Sequence, residues 1–235
     1  MYREEGSYSD KTDPFSSHTR IKSILRNLPE GTRILDIGTA SGTLGRMCQD
    51  QELLFFGIEP KKTWVDLARP YYQYILESKL EDAPDDYLLG YDVIVCADIL
   101  EHLIYPLDAL RRVVNLRVED SIFIISVPNV ANLWIRLSLL FGNFTYTDKG
   151  ILDKTHLHFF TKRSFLEILD NAGLLIINIK YTPIPLNLVH PKFKKKGFRV
   201  LHRLLAILTN SFPTLLAYQF IVLSEKDSNE PDKNR

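Results

Sequence analysis

The stretch Arg33-Ile34-Leu35-Asp36-Ile37-Gly38-Thr39-Ala40-Ser41-Gly42-Thr43-Leu44-Gly45 decides how the rest of this 235-residue chain is read. An apolar run ends in an acid, turns on glycines and enters a helical pattern over 44–51. A buried strand handed to a helix through such a turn belongs to an open α/β sheet, where ligands bind at the carboxyl ends of the strands. The glycines let backbone approach a ligand closely, and the helix start offers free N–H groups. The dinucleotide fingerprint G-x-G-x-x-G asks for glycine at 38, 40 and 43; this chain has Gly38, Ala40 and Thr43. Its spacing is instead D-x-G-x-x-x-G, from Asp36 through Gly38 to Gly42. A carboxylate beside the turn repels a pyrophosphate and suits a ligand that carries an ammonium.

Working outward, apolar runs at 53–59, 91–97, 121–127, 174–181 and 217–224, with a weaker one at 73–77, read as six more strands. Near-continuous Val, Ile and Leu are what strands buried on both faces of a parallel sheet carry. Helical periodicity fills the intervals at 16–28, 44–51, 61–68, 107–115 and 161–172, the last with Thr161 as cap and Gly173 as stop. The alternation predicts an α/β fold built on a doubly wound, seven-stranded, mostly parallel sheet. The second strand ends in Glu59, 21 positions after Gly38. An acid at that strand tip accepts hydrogen bonds from both hydroxyls of a ribose. A nicotinamide-dependent oxidoreductase shares this acid, so Glu59 marks a ribose rather than a cofactor.

Composition narrows the class. Lys plus Arg and Asp plus Glu both number 29, which argues against a strongly basic nucleic-acid binder while leaving room for a local patch. With 45% hydrophobic and 25% charged residues the chain is an ordinary globular one. Cys48 and Cys96 are too few for a disulfide scaffold or a cysteine zinc site. The polar start has no signal-peptide core, and no run of about 18 apolar residues exists. A soluble cytoplasmic protein is expected.

A second group of chemistry-bearing residues follows the fourth strand. Asp98 lies at its carboxyl edge, with Glu101 and His102 three and four positions on. On a helical turn the three share a face. Oxygen and nitrogen donors so placed hold a divalent metal, or supply a general base with an orienting carboxylate. Val127-Pro128-Asn129 closes the fifth strand, and the segment 150–161 then carries His156 and His158 back toward the same edge. His156 is the stronger functional candidate of the two.

These motifs, in this order, resemble the class I S-adenosylmethionine-dependent methyltransferases over roughly residues 16–182. The glycine turn is similar to their motif I, with Ala40 where many members have glycine. D-x-x-E-H-L from Asp98, then V-P-N from Val127, then T-H from Thr155, is similar to the ubiquinone-biosynthesis O-methyltransferase group and its bacterial relatives. It is also similar to the small-RNA 3′-terminal 2′-O-methyltransferases. The resemblance implies S-adenosylmethionine held by Asp36, Gly38, Thr39, Gly42, Glu59, Glu81 and Asp98, with Glu81 on the adenine side. It implies a seventh strand antiparallel beside the sixth, and methyl transfer to a hydroxyl with His102, Glu101 and His156 as catalytic candidates. It also implies a divalent metal at Asp98, Glu101, His102 and His156. Asp98 stands where those groups have glutamate, one methylene longer, and a contact with the methionine part of the cofactor is the alternative reading. A nicotinamide-dependent oxidoreductase and a non-catalytic cofactor-binding module are the competing classes.

Residues 1–15 read as a flexible arm, 16–224 as the methyltransferase domain and 225–235 as a disordered tail. Within the domain, 130–155 carries Trp134, Phe141, Phe144 and Tyr146 and reads as a substrate lid. Residues 185–212 form an insertion with a basic run, Lys192, Lys194, Lys195 and Lys196, followed by an apolar helix. This basic helical insertion suits an anionic membrane surface, through 192–208, or a phosphate-bearing acceptor. The acceptor expected is a small molecule, a glycan or a lipid-linked group, with RNA as an alternative, and the location is cytoplasmic with peripheral attachment to the inner membrane face.

Overall fold

The computed structural model describes residues 15–116, 121–185 and 198–227. The expected N-terminal arm lies almost wholly outside these, as do the lysines at 192–196 and most of the tail. The strands are β1 (Arg33–Ile37), β2 (Leu54–Ile58), β3 (Tyr74–Leu76), β4 (Val93–Ala97), β5 (Ile122–Pro128), β6 (Leu174–Thr182) and β7 (Gln219–Lys226). They form one sheet in the order β3-β2-β1-β4-β5-β7-β6. The first five are parallel, and β7 is antiparallel to both β5 and β6. The expected sheet is therefore present, with β7 inserted between β5 and β6.

Pleating sorts the side chains of each central strand onto two cores. Ile34 of β1, Val93 and Val95 of β4, Ile124 of β5 and Ile221 of β7 pack on one face. There they meet α1 (Ser17–Leu25), α2 (Thr43–Met47) and α3 (Lys62–Ala68) through Ile21, Leu25, Leu44, Val65 and Ala68. Leu35, Ile94, Phe123, Ile125 and Val222 point to the other face. That face is covered by α4 (Pro106–Asn115) and α6 (Lys162–Asn171) through Leu110, Val113, Phe165 and Leu169. This two-sided burial explains why the strands read as unbroken apolar runs. Cys48 and Cys96 are both buried and neither is in a disulfide, one in each core.

Helix ends follow their local chemistry. The Thr161 hydroxyl accepts from the Ser164 N–H, and the Ser164 hydroxyl accepts from the Thr161 N–H, a reciprocal cap at the start of α6. Gly173 ends the helix at φ +79°. Four residues or so at the end of the expected second helix are not helical: α2 stops at Met47 and the chain turns back to lay β2 beside β1. Three more helices occupy the appendages: α5 (Leu133–Leu140) in the expected lid, then α7 (Phe198–Ser211) and α8 (Pro213–Leu216) between β6 and β7. Among the described residues no helix is long and apolar enough to cross a membrane.

Candidate active site

The strand order reverses at β1, which has β2 on one side and β4 on the other. A crevice opens at the carboxyl ends of strands at such a point. The glycine turn, Glu59 and Asp98 all lie there, at the ends of β1, β2 and β4 respectively.

The turn is held from three sides. Gly38 and Gly42 adopt φ +79° and +75°, and Ala40 between them takes φ +46°. A Cβ on Gly42 would sit 2.7 Å from the Ala68 main chain, so glycine is demanded by space as well as by conformation. Glu59 is buried, and its two oxygens accept from the Ala40 and Lys61 N–H groups, each at 2.9 Å. Burial pushes its carboxyl up, and these two bonds oppose the shift. Each carboxylate oxygen still has a lone pair to offer, so the pair of ribose hydroxyls expected here finds acceptors.

Beneath the turn lies Asp36, 3% exposed. The Tyr72 hydroxyl donates to Asp36 Oδ2 at 2.5 Å and accepts from the Gly45 N–H at 3.4 Å. Burial pushes the Asp36 carboxyl up to about 7, against the Tyr72 bond and with the repulsion of Glu59. The acid thus braces β1, α2 and the segment after α3. At neutral pH it is a divided rather than a full charge, a weaker partner for an ammonium than the spacing suggested. Thr39 is likewise buried, and its methyl lies over Gly57, where a Cβ would come within 2.3 Å. It forms a wall of the turn. Glu81 is exposed on the segment after β3. Its carbonyl is held by Arg112, which also donates to Leu80, Ala83 and Asp85.

The expectation that Asp98, Glu101 and His102 share one helical face is corrected. Asp98 takes φ +56°, outside helical space, and only Leu100–His102 form a tight 3₁₀ turn. The Asp98 carboxylate instead accepts from Ser126 Oγ at 2.7 Å and from Gln219 Nε2 at 2.7 Å, with Ser17 Oγ at 3.4 Å. Its N–H donates to Ser126 as well. A left-handed non-glycine residue so firmly tied is the kind of strain found at ligand clamps. Asp98 is therefore set in the crevice and stands apart from the other three proposed metal ligands.

Those three do converge. One donor atom each from Glu101, His102 and His156 lies within 4.8 Å of the others. Glu101 is 1% exposed and His156 7%, and His156 Nε2 is 4.0 Å from Glu101 Oε1. The two imidazoles stand edge to face, centroids 4.8 Å apart. His102 Nδ1 pairs with the Thr155 carbonyl at 3.2 Å and His156 Nδ1 with the Ile151 carbonyl at 3.0 Å. Both rings are thereby set with Nδ1 as the donor and Nε2 as the basic nitrogen. Burial, then the neighbouring His102, lowers the His156 pKa, so this ring is neutral near pH 7. The Glu101 carbonyl accepts from the N–H groups of Leu157 and His158, which staples the histidine segment to the turn after β4. His158 points away, with Nε2 3.2 Å from the Ile104 carbonyl.

A model of the methyltransferase domain matches residues 14–179. The chain belongs to the methyltransferase domain family. One relative of this methyltransferase is a ubiquinone biosynthesis O-methyltransferase of Aeromonas salmonicida. It is 27% identical over 170 residues, which is 66% of this chain and 68% of that protein. A solved structure of a SAM-dependent methyltransferase from Archaeoglobus fulgidus is similar at TM-score 0.58 and 17% identity, covering 90% of this chain and 95% of that one. Magnesium protoporphyrin IX methyltransferase of Synechocystis PCC 6803, with bound SAH, is similar at TM-score 0.59 and 16% identity, covering 89% and 81%. At these identities the solved structures speak for the fold, which is that of the S-adenosylmethionine-dependent methyltransferases. The expectation of S-adenosylmethionine as cofactor stands, and the buried Glu59 at the tip of β2 fits it.

Four residues that hold this methyltransferase site together carried no sequence signal: Tyr72, Ser126, Gln219 and Arg112. The Asn129 in V-P-N also takes on a definite role. It is fully buried, and it and Asn132 each donate to the Ala217 carbonyl at 2.9 Å. They tie the segment leading into α5 to the residues just before β7.

Proposed function

We propose that this methyltransferase transfers the methyl group of S-adenosylmethionine to a hydroxyl oxygen of a small-molecule, glycan or lipid-linked acceptor. The observation that carries this reading is the pairing of His102 and His156, each with Nδ1 on a backbone carbonyl, around the buried Glu101. A hydroxyl, unlike an amine, must lose its proton as it attacks, and a neutral imidazole Nε2 is suited to take it near pH 7. The cofactor supplies a methyl already activated on a sulfonium. The chain's part is to hold the acceptor oxygen in line with that methyl, which is a large share of the rate, and to receive the proton. His102 would take the proton that the acceptor oxygen gives up, and Glu101 would stabilise the resulting cation. Asp98, clamped by Ser126 and Gln219, is the residue we assign to the methionine end of the cofactor.

The test is methyl transfer from labelled S-adenosylmethionine to a catechol, a polyprenyl phenol, a hexose and a short RNA with a free 3′ end. A base-stable methyl ether on one of them, lost in His102→Ala, supports the reading. Methylation confined to nitrogen or carbon overturns it. Tight nicotinamide-dinucleotide binding in calorimetry, with none of S-adenosylhomocysteine, would point to an oxidoreductase.

The same three side chains support a second reading. One carboxylate and two imidazoles, both oriented through Nδ1, are a donor set for a divalent transition metal. Ligands about 2.1 Å from one ion lie at most about 4.2 Å apart, so the group would have to draw in slightly. Glu101, His102 and His156 would hold the ion, and its chemistry would be to lower the pKa of the acceptor hydroxyl. Equilibrium dialysis with Mg²⁺, Mn²⁺ and Zn²⁺, on the wild type and Glu101→Ala, separates the two.

A further inference from the structure

Helix α7 packs on one side and is apolar on the other. His202, Leu205, Ala206 and Thr209 recur at three- and four-residue spacing on its packed side. On the opposite side Val200, Leu201, Leu204, Ile207 and Leu208 face solvent, Val200 at 65% and Ile207 at 62% exposure. A helix that faces water carries polar residues there. Helix α5 repeats the arrangement. It buries Ile135 and leaves a strip of Leu133, Trp134, Leu137, Leu140 and the following Phe141 outside, with Trp134 at 69% and Phe141 at 77%. Single apolar residues on a surface are ordinary; contiguous strips of them are not.

The two helices are joined at one edge of the molecule. Asn132, which caps α5, donates to the carbonyls of Leu216 and Ala217, and Asn129 donates to that of Thr214. Residues 213–217 follow α7 after only the exposed Phe212. β7 starts here with Gln219 opposite Pro128, at the carboxyl end of β5. This is therefore the edge on which the crevice opens.

Charge is segregated onto the same segments. No Asp or Glu occurs between Asp170 and Glu225, a span with seven Lys and Arg, and none between Asp120 and Asp148. Lys192, Lys194, Lys195 and Lys196 directly precede α7 in the sequence, outside the described residues. We infer that this edge docks on an anionic lipid surface, with the exposed apolar strips of α5 and α7 lying in the headgroup boundary. An apolar strip with cationic flanks is the composition that binds in this plane. A second copy of the chain would set the same positive charge against itself, whereas anionic headgroups neutralise it. At 14 residues α7 is too short to span a bilayer, so it lies along the surface. The crevice then opens at the lipid boundary, where an acceptor on a lipid anchor is presented without leaving the membrane.

Flotation of the full chain with vesicles of phosphatidylcholine plus phosphatidylglycerol, against phosphatidylcholine alone, tests this. In a Trp64→Phe background the remaining Trp134 should shift to the blue on binding. The double variant Leu204→Glu/Ile207→Glu should bind the anionic vesicles roughly tenfold more weakly. S-adenosylhomocysteine affinity measured by calorimetry should be unchanged, certifying the fold independently of any acceptor. No flotation of the wild type at low salt overturns the inference, as does equal binding by the double variant. A concentration-dependent dimer in sedimentation that the double variant abolishes also overturns it, by making a second copy the occupant.

Discussion

The Tyr72 hydroxyl sits 2.5 Å from Asp36 Oδ2, fully inside the protein and directly under the glycine turn. Removing it should leave a buried carboxyl without its donor, at a cost of about 1–3 kcal/mol. Tyr72→Phe is thus expected to lower the unfolding free energy by that amount in denaturant titrations. Because the turn is braced through Gly45 as well, S-adenosylhomocysteine affinity should fall in the same variant.

Asp36 also gives stability a pH dependence. Its carboxyl is near 3.8 when unfolded and about 7 when folded, so between these values the folded state binds the proton. The stability this contributes is complete below the unfolded value and is lost as pH rises through the folded one. The melting temperature of the wild type should therefore drop between about pH 4 and pH 7 and level off above that. Asp36→Asn should flatten that drop; a wild-type drop that persists unchanged in the variant would place its origin elsewhere.

Ala40 and Gly42 should respond in opposite ways. Ala40 already occupies φ +46°, so Ala40→Gly relieves left-handed strain of about 1–2 kcal/mol and returns part of it as unfolded-state entropy. Stability should stay within about 1 kcal/mol, with cofactor affinity intact. Gly42→Ala adds strain and a Cβ 2.7 Å from the Ala68 main chain. It should lose about 2 kcal/mol or more, and calorimetry should show weakened S-adenosylhomocysteine binding.

Glu59→Gln keeps the shape of the side chain but offers one carbonyl where two oxygens now accept from Ala40 and Lys61. The amide end faces an N–H and cannot accept from it. Cofactor affinity is expected to fall about tenfold or more, equivalent to about 1.4 kcal/mol, with little change in fold by circular dichroism.

His102→Ala and His156→Ala separate the base reading from the metal reading. If His102 takes the proton, its loss should cut the rate by about 10² to 10⁴, and His156→Ala should cost less. If the residues hold an ion, both variants and Glu101→Ala should lose activity together, and chelation should abolish it in the wild type. Single-turnover rates with and without chelator discriminate the two.

The amino-acid sequence by itself determined the sheet and the turn. Each central strand is an unbroken apolar run because both of its faces are covered, and the handover from Ile37 to Leu44 is marked by its own glycines. Glu59 was legible for the same reason, since a strand tip follows directly from where the strand ends. What only the tertiary structure decided is who touches whom at the crevice. Tyr72 reaches Asp36 across 36 positions, and Gln219 reaches Asp98 across 121. Gln219 arrives because β7 runs antiparallel beside β5, a pairing with no periodic trace in either strand. Folding likewise turned Asp98 away from Glu101 through a left-handed backbone, and chose His156 over His158 by stapling their segment to the Glu101 carbonyl. Local patterns report local burial and conformation; partners far apart in the chain are selected by packing, and only the folded chain records that choice.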